Sequence, residues 1–214
     1  MSTEKYPELK NMKVSNSCLR RISEYYRTLK QLQEKGVRNV TSMELSEING
    51  PYPALVRKDL SYFGCFGQRG VGYDVNNLMG VLEKILGLTR EWRVAVIGAA
   101  QYSCTLMNSL PFESKIYQVR KIYDKNPETI SGVPENVEVL HIDTLEDTLD
   151  PDVDDIVIIA LPPNEIQGVI DRLGEIGIKA VLYMASKTVK VPEGMAVMNQ
   201  DIKIELGMLT YRLI

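Results

Sequence analysis

Along the first 90 positions, apolar residues recur at helical spacing. Beyond them, short apolar runs alternate with helical stretches. Leu19, Ile22, Tyr26, Leu29 and Leu32 share one face of a first helix, which Ser17 is placed to cap and Gly36 stops near Lys35. Residues 1–16 precede it as a polar tail carrying Lys5, Lys10 and Lys13. Val40-Thr41-Ser42 opens a short second helix, with Thr41 and Glu44 at the spacing of a capping box. Asn49-Gly50 turns the chain, and Pro51-Tyr52-Pro53 biases it out of helix just before a third helix begins. There Val56, Leu60 and Phe63 form the apolar stripe. From Gly64 to Tyr73, glycines alternate with aromatic, β-branched and basic residues, the pattern of a tight hairpin with Arg69 near its tip. Asp74 then caps a fourth helix, with Val75, Leu78, Met79, Leu82, Ile85 and Leu86 on one face and Gly87 at its end.

Two helices, a third reading helix and a hairpin make a winged helix-turn-helix, the expected DNA-binding domain over residues 1–87. Arg57, Lys58, Ser61 and Tyr62 lie off the apolar stripe of the third helix, which Tyr52 immediately precedes. Two cations, a hydroxyl and phenols on such a face suit phosphates and base edges. The same pattern also fits an ordinary solvated helix, and it is the preceding helix and the hairpin that favour DNA. Arg20 and Arg21 flank the first helix's stripe, as surface charge or as phosphate contacts.

After the linker Leu88-Thr89-Arg90-Glu91 the pattern changes. Strands are expected at Arg93 to Gly98, Ile116 to Tyr123, Val137 to Ile142, Asp155 to Leu161, Ala180 to Met184 and Val197 to Asn199. Helices are expected from about Ala100 to Ser109, from Leu145 to Leu149 and from Glu165 to Ile176. The strand at Asp155 to Leu161 is apolar on both faces, as central parallel strands are. This alternation predicts an α/β, Rossmann-like doubly wound parallel sheet over residues 88–200. The last segment, 201–214, places Ile202, Leu206, Leu209 and Leu213 at helical spacing. A helix so apolar needs a partner surface, on its own domain or on a second copy.

Charge divides the chain at the same place. Residues 1–90 hold 14 Lys and Arg against 9 Asp and Glu, and residues 91–214 hold 11 against 19. Only the first part suits a polyanion, which the net charge of −3 conceals. Cys18, Cys65 and Cys104 are odd in number and far apart, so neither a disulfide framework nor a zinc site is expected, and a reducing cytoplasm fits. No apolar run reaches the roughly 18 residues of a membrane span, and the first ten lack the apolar core of a secretion signal.

The string Val56-Arg57-Lys58-Asp59-Leu60-Ser61-Tyr62-Phe63-Gly64, followed by Phe66-Gly67-Gln68-Arg69-Gly70-Val71-Gly72-Tyr73-Asp74-Val75, resembles the Rex family of bacterial redox-sensing transcriptional repressors. The resemblance extends through Leu86 to Trp92 and covers nearly the whole chain. It implies a homodimer whose last helix crosses into the partner subunit, and binding to an AT-rich inverted repeat released when NADH rises. It also implies DNA contacts from Arg20, Arg21 and the wing, where Gln68 stands at a position usually basic in the family.

A dinucleotide site needs glycines after its first strand, for a tight turn, for approach of the diphosphate and for helix packing. The family pattern Gly-x-Gly-x-x-Gly stands here as Gly98-Ala99-Ala100-Gln101-Tyr102-Ser103. A Cβ at Ala100 narrows the diphosphate pocket, so NADH or NAD⁺ is expected to bind more weakly than where all three glycines stand. Asp124, ending the second strand, is placed to accept from the ribose hydroxyls, with a plain turn residue as the alternative. The resemblance adds Pro162, after the fourth strand, to the cleft lining. Two other readings remain: a DNA-binding paralogue that has lost or altered dinucleotide sensing, and a small NAD-dependent dehydrogenase. The second is weak, because the single histidine, His141, lies at a strand end and no Tyr-x-x-x-Lys pair follows a strand.

Overall fold

A computed structural model describes residues 14–98 and 115–213 of the chain. Most of the 1–16 tail, the helix expected at 100–109, the string from Ala99 to Ser103 and Cys104 lie outside the described residues. The chain divides into two compact units, Met1–Arg90 and Glu91–Ile214.

In the first unit, helix α1 spans Asn16–Glu34. Its cap is Ser15, whose side chain accepts from the Cys18 amide at 3.3 Å, not the expected Ser17. The buried stripe is Cys18, Ile22, Tyr25 and Leu29, rotated from the expected one, and Leu19 is 37% exposed. The residue that shifts it is Cys18, which behaves here as a small apolar side chain. Helix α2, Ser42–Asn49, carries both halves of the capping box: the Glu44 amide donates to Thr41 Oγ1 at 3.2 Å, and the Thr41 amide donates to Glu44 Oε2 at 2.7 Å. Helix α3, Pro53–Ser61, starts on the proline, whose missing N–H costs nothing in a first turn. It buries Val56, Asp59 and Leu60, while Phe63 lies past its end and is half-buried. Helix α4, Val75–Ile85, is capped by Asp74 and buries Val75, Leu78 and Leu82.

The wing is minimal. Gln68 and Gly72 form an antiparallel bridge around the tip Arg69-Gly70-Val71. At its base, strand β1 (Asn39–Val40) pairs antiparallel with strand β2 (Tyr73–Asp74). Gly72 has φ of 91°, and a Cβ there would stand 2.5 Å from the Val40 carbonyl oxygen, so only glycine lets the wing return against β1.

The second unit is a six-stranded parallel sheet of β3 (Trp92–Ile97), β4 (Tyr117–Asp124), β5 (Glu138–His141), β6 (Ile156–Ile159), β7 (Ala180–Tyr183) and β8 (Ala196–Asn199). The order β5-β4-β3-β6-β7-β8 is that of a doubly wound dinucleotide-binding sheet. Helices α5 (Leu145–Thr148) and α6 (Ile166–Ile176) cover one face, burying Ala95, Ile97, Tyr123, Val157, Ile159 and Val181. On the other face Val94, Val96, Val119 and Ile122 pack with Ile130 and Val137. The expected two-sided burial of β6 is unequal: Val157 and Ile159 are fully buried, while Ile156 and Ile158 are half-buried on the second face. Helix α7 (Ile202–Tyr211) contains no buried residue, and Leu206, just over half exposed at 53%, is its most covered leucine.

Candidate nucleic-acid interface and nucleotide cleft

Helix α3 buries one side and presents Arg57, Lys58 and Ser61 on the other, with Tyr52 before it and Tyr62 after it, all exposed. The Arg57 guanidinium donates to Ser42 Oγ at 2.9 Å, which ties its head to the first turn of α2. Ser61 Oγ donates to the Lys58 carbonyl at 2.7 Å, so its hydroxyl proton is used and its acceptor capacity remains. Beside α3 the wing encloses a cleft of about 560 Å³ lined by Ser42, Arg57, Ser61, Cys65, Gln68 and Arg69, among others. The structure brings Arg57, Ser61, Gln68 and Arg69 to one groove, while Tyr52, Lys58 and Tyr62 are exposed outside its lining and Arg20 is exposed on α1.

Arg21, expected as a phosphate contact, is engaged inward. Its Nε and Nη2 donate to the two carboxylate oxygens of Asp59 at 2.6 and 2.7 Å. The Tyr25 hydroxyl donates to the same carboxylate at 3.1 Å. Burial pushes the Asp59 carboxyl up, but hydrogen bonds from Arg21, Cys18 and Tyr25 outweigh it and hold the group below its usual value. The other side of this balance is Cys18, where burial and then Asp59 push the thiol up to about 11. Arg21 thus holds α3 against α1. Sequence reasoning missed Asp59. The signal was an acid three residues after Val56 on an apolar stripe, with Arg21 and Tyr25 available on the first helix.

In the second unit the C-terminal ends of β3, β4 and β6 carry Gly98, Asp124 and Leu161-Pro162. Because β3 lies between β4 and β6, these residues converge at the crevice where the strand order reverses. Gly98 has φ of 86°, and a Cβ there would stand 2.4 Å from the Leu161 side chain and 2.7 Å from the Ala160 carbonyl oxygen. Asp124 is buried and accepts from the Asn126 amide at 2.9 Å. Pro162 is half-buried. The expected cleft residues Ala99, Ala100, Gln101, Tyr102 and Ser103 lie outside the described residues. Lys125 and Glu165 meet at 2.7 Å beside the crevice.

His141 has a structural task at the end of β5, where its Nδ1 accepts from the Asp143 amide at 3.2 Å. Among the described residues, no three His, Cys, Asp or Glu side chains are grouped to hold a metal ion. Away from the cleft, Glu146 on α5 makes a two-pronged pair with Arg172 on α6, at 2.5 and 2.7 Å. The guanidinium's hydrogen bonds hold the Glu146 carboxyl down at about 2.

These features define a two-part regulator class, a winged helix followed by a Rossmann-type sheet. Residues 13–61 match a family described as "Putative DNA-binding protein N-terminus", and residues 89–187 one described as "CoA binding domain". The redox-sensing transcriptional repressor Rex of Desulfitobacterium hafniense is 34% identical over 95% of this chain and 97% of its own length. That of Thermoanaerobacter pseudethanolicus is 36% identical over 95% and 91%. Among solved structures, RSP in complex with β-NAD⁺ and operator DNA superposes with a TM-score of 0.84 at 34% identity, covering 95% of this chain and 94% of that one. RSP in complex with β-NADH gives 0.82 at 32% identity, covering 95% of each chain. The chain belongs to the Rex family of redox-sensing transcriptional repressors.

Proposed function

We propose that two copies of this chain form a cytoplasmic repressor that grips an inverted-repeat operator and loosens when NADH replaces NAD⁺. The observation that carries the DNA half is the exposed cationic side of α3, with Arg57 lining the wing groove. Arg57 and Lys58 read or clamp the DNA, with Tyr52, Ser61 and Tyr62 beside them. Arg20, Gln68 and Arg69 contact phosphates, and Arg21 positions α3 through Asp59. In the sensor half, Asp124 accepts from the adenosine ribose, Gly98 admits the backbone turn and Pro162 lines the cleft. The assignment of Ala99 to Ser103 to the diphosphate rests on sequence alone. RSP, at 34% identity, holds NAD⁺ and operator DNA together, which supports DNA release by the reduced form. The exposed apolar residues of α7 support a dimer, since an inverted repeat needs two reading helices about one DNA turn apart.

The test is operator binding by the full-length dimer with NAD⁺ or NADH added. NADH is expected to weaken binding by at least about fivefold, a typical coupling between two sites. Arg57→Ala and Lys58→Ala should each weaken it by about 1–3 kcal/mol while the protein stays dimeric. Wild-type affinity in both variants would remove α3 as the reading helix. The second reading, a paralogue that binds DNA without sensing a dinucleotide, is favoured by Ala100 and Ser103 in place of glycines. Operator binding indifferent to NADH, with no heat of NADH binding in calorimetry, would establish it.

A further inference from the structure

Lys125 follows Asp124 at the C-terminal end of β4, and Glu165 immediately precedes α6 in the connection after β6. Their Nζ and Oε2 atoms are 2.7 Å apart. With β3 between β4 and β6, this ion pair links the connections that leave the two strands flanking β3. In dinucleotide-binding sheets an acid ending the second strand accepts from the ribose hydroxyls of NAD, whereas a nearby cation accommodates the 2′-phosphate of NADP. Here the cation is in place, one residue after the acid, but a carboxylate answers its charge.

Resting on the cleft assignment above, we propose that Glu165 is a specificity-determining residue that makes the adenosine end of the cleft reject a 2′-phosphate. It acts through Lys125, as a positioning residue. Asp124, Lys125 and Glu165 together carry one net negative charge, which repels a phosphomonoester of about −1.5 to −2. The two ribose hydroxyls of NAD(H) are neutral and meet no such penalty. Neutralising Glu165 leaves Asp124 and Lys125 balanced and releases the ammonium toward the phosphate. Lys125 is more than half exposed at 57% and Glu165 less so at 30%, so the lysine head can swing while the stem stays. A pair that merely fastened α6 to the end of β4 would behave differently, because its loss would alter both dinucleotides alike.

Fluorescence titration of the full-length protein with NADH and with NADPH decides between these. Glu165→Gln should raise NADPH affinity about five- to tenfold, the scale of one partly screened charge, and leave NADH within about twofold. The gain should shrink as added salt shortens the screening length. Lys125→Gln in the Glu165→Gln background should abolish it. NADPH affinity unmoved by Glu165→Gln, or equal changes for the two ligands, would overturn the proposal while NADH binding by the wild type kept the cleft assignment standing. A wild type that binds neither dinucleotide would overturn both.

Discussion

The two units differ in where they place their two-pronged ion pairs and their apolar surface. The N-terminal unit puts an ion pair inside: Asp59, 1% exposed, is held by Arg21 and Tyr25 among Ile22, Leu29, Val56 and Leu60. The C-terminal unit also buries a pair, Lys121 with Asp154 at 2.8 Å, but keeps its two-pronged one, Glu146 with Arg172, near the surface, and leaves apolar residues outside. Ile156, Ile158, Leu182, Ala196 and Met198 line a groove of about 420 Å³ on the second face of its sheet, and α7 carries exposed Ile202, Leu206 and Leu209. The first unit has closed its core by itself. The second leaves that groove and α7 open among the described residues. A buried ion pair fixes one orientation of α3, which a reading helix requires. An apolar helix left in water favours association.

The largest effect should come from breaking the buried Arg21–Asp59 pair. Arg21→Ala strands the Asp59 carboxylate in the core and should cost about 3–5 kcal/mol. Replacing both partners, Arg21→Met with Asp59→Leu, should restore most of that stability, since an apolar pair has no charge to desolvate. The pH dependence has a definite sign. Asp59 is held below its unfolded value, so its contribution is present above that value and fades as pH falls through the lower folded one. The Arg21→Ala deficit should therefore shrink toward acid. Trp92, the single tryptophan, sits in β3 and reports the second unit by fluorescence, while the helical signal is weighted to the first. Arg21→Ala should move the circular-dichroism transition of the full-length protein and leave the Trp92 transition in place. If the two transitions move together, the units unfold as one and the contrast between them does not hold.

That contrast was only partly legible in the chain. The Thr41–Glu44 box, the cap at Asp74 and the strand alternation are short-range patterns, and each element formed within a residue or two of its expected bounds. The stripe of α1 was rotated because a cysteine and Tyr25 took core positions that hydrophobicity alone assigns to Leu19 and Tyr26. Asp59 was invisible as a core residue because its partner stands 38 positions earlier, and no local period reports such a pairing. For the same reason, the Lys125–Glu165 pair depends on β3 intervening in space, not in sequence. In the cleft, Gly98 was readable as a turn glycine, but its need to clear Leu161 and the Ala160 carbonyl was not.

The next largest effect should test the other unit. Gly98→Ala forces a Cβ into a left-handed backbone, at about 1–2 kcal/mol, and against Leu161 and the Ala160 carbonyl, at about 1–3 kcal/mol more. The Trp92 transition should shift to lower denaturant, with the helical transition unmoved, the mirror image of Arg21→Ala. NADH binding should fall with it, because the turn after β3 opens the cleft. A Gly98→Ala protein with an unchanged Trp92 midpoint would show that the turn relaxes around the methyl group.

The smallest effect sharpens the comparison most, because it matches the Arg21–Asp59 geometry with different burial. Glu146 and Arg172 also form a two-pronged pair, and Arg172 Nη2 donates in addition to the Ile142 carbonyl at 3.0 Å. Glu146 is 48% exposed, however, so water already solvates part of its charge and salt screens the rest. Glu146→Gln should therefore cost no more than about 1 kcal/mol at pH 7, despite a carboxyl held down at about 2. That carboxyl is depressed in the folded chain from an ordinary value of 4.5. Its contribution is present above 4.5 and is lost as pH falls from there toward about 2. The difference between Glu146→Gln and wild type, read from the Trp92 transition, should be small at pH 7 and vanish near pH 2. It should also fall with added salt, whereas the Arg21→Ala deficit should scarcely respond. A Glu146→Gln loss as large as that of Arg21→Ala, and indifferent to salt, would mean that geometry rather than burial sets the worth of an ion pair in this fold.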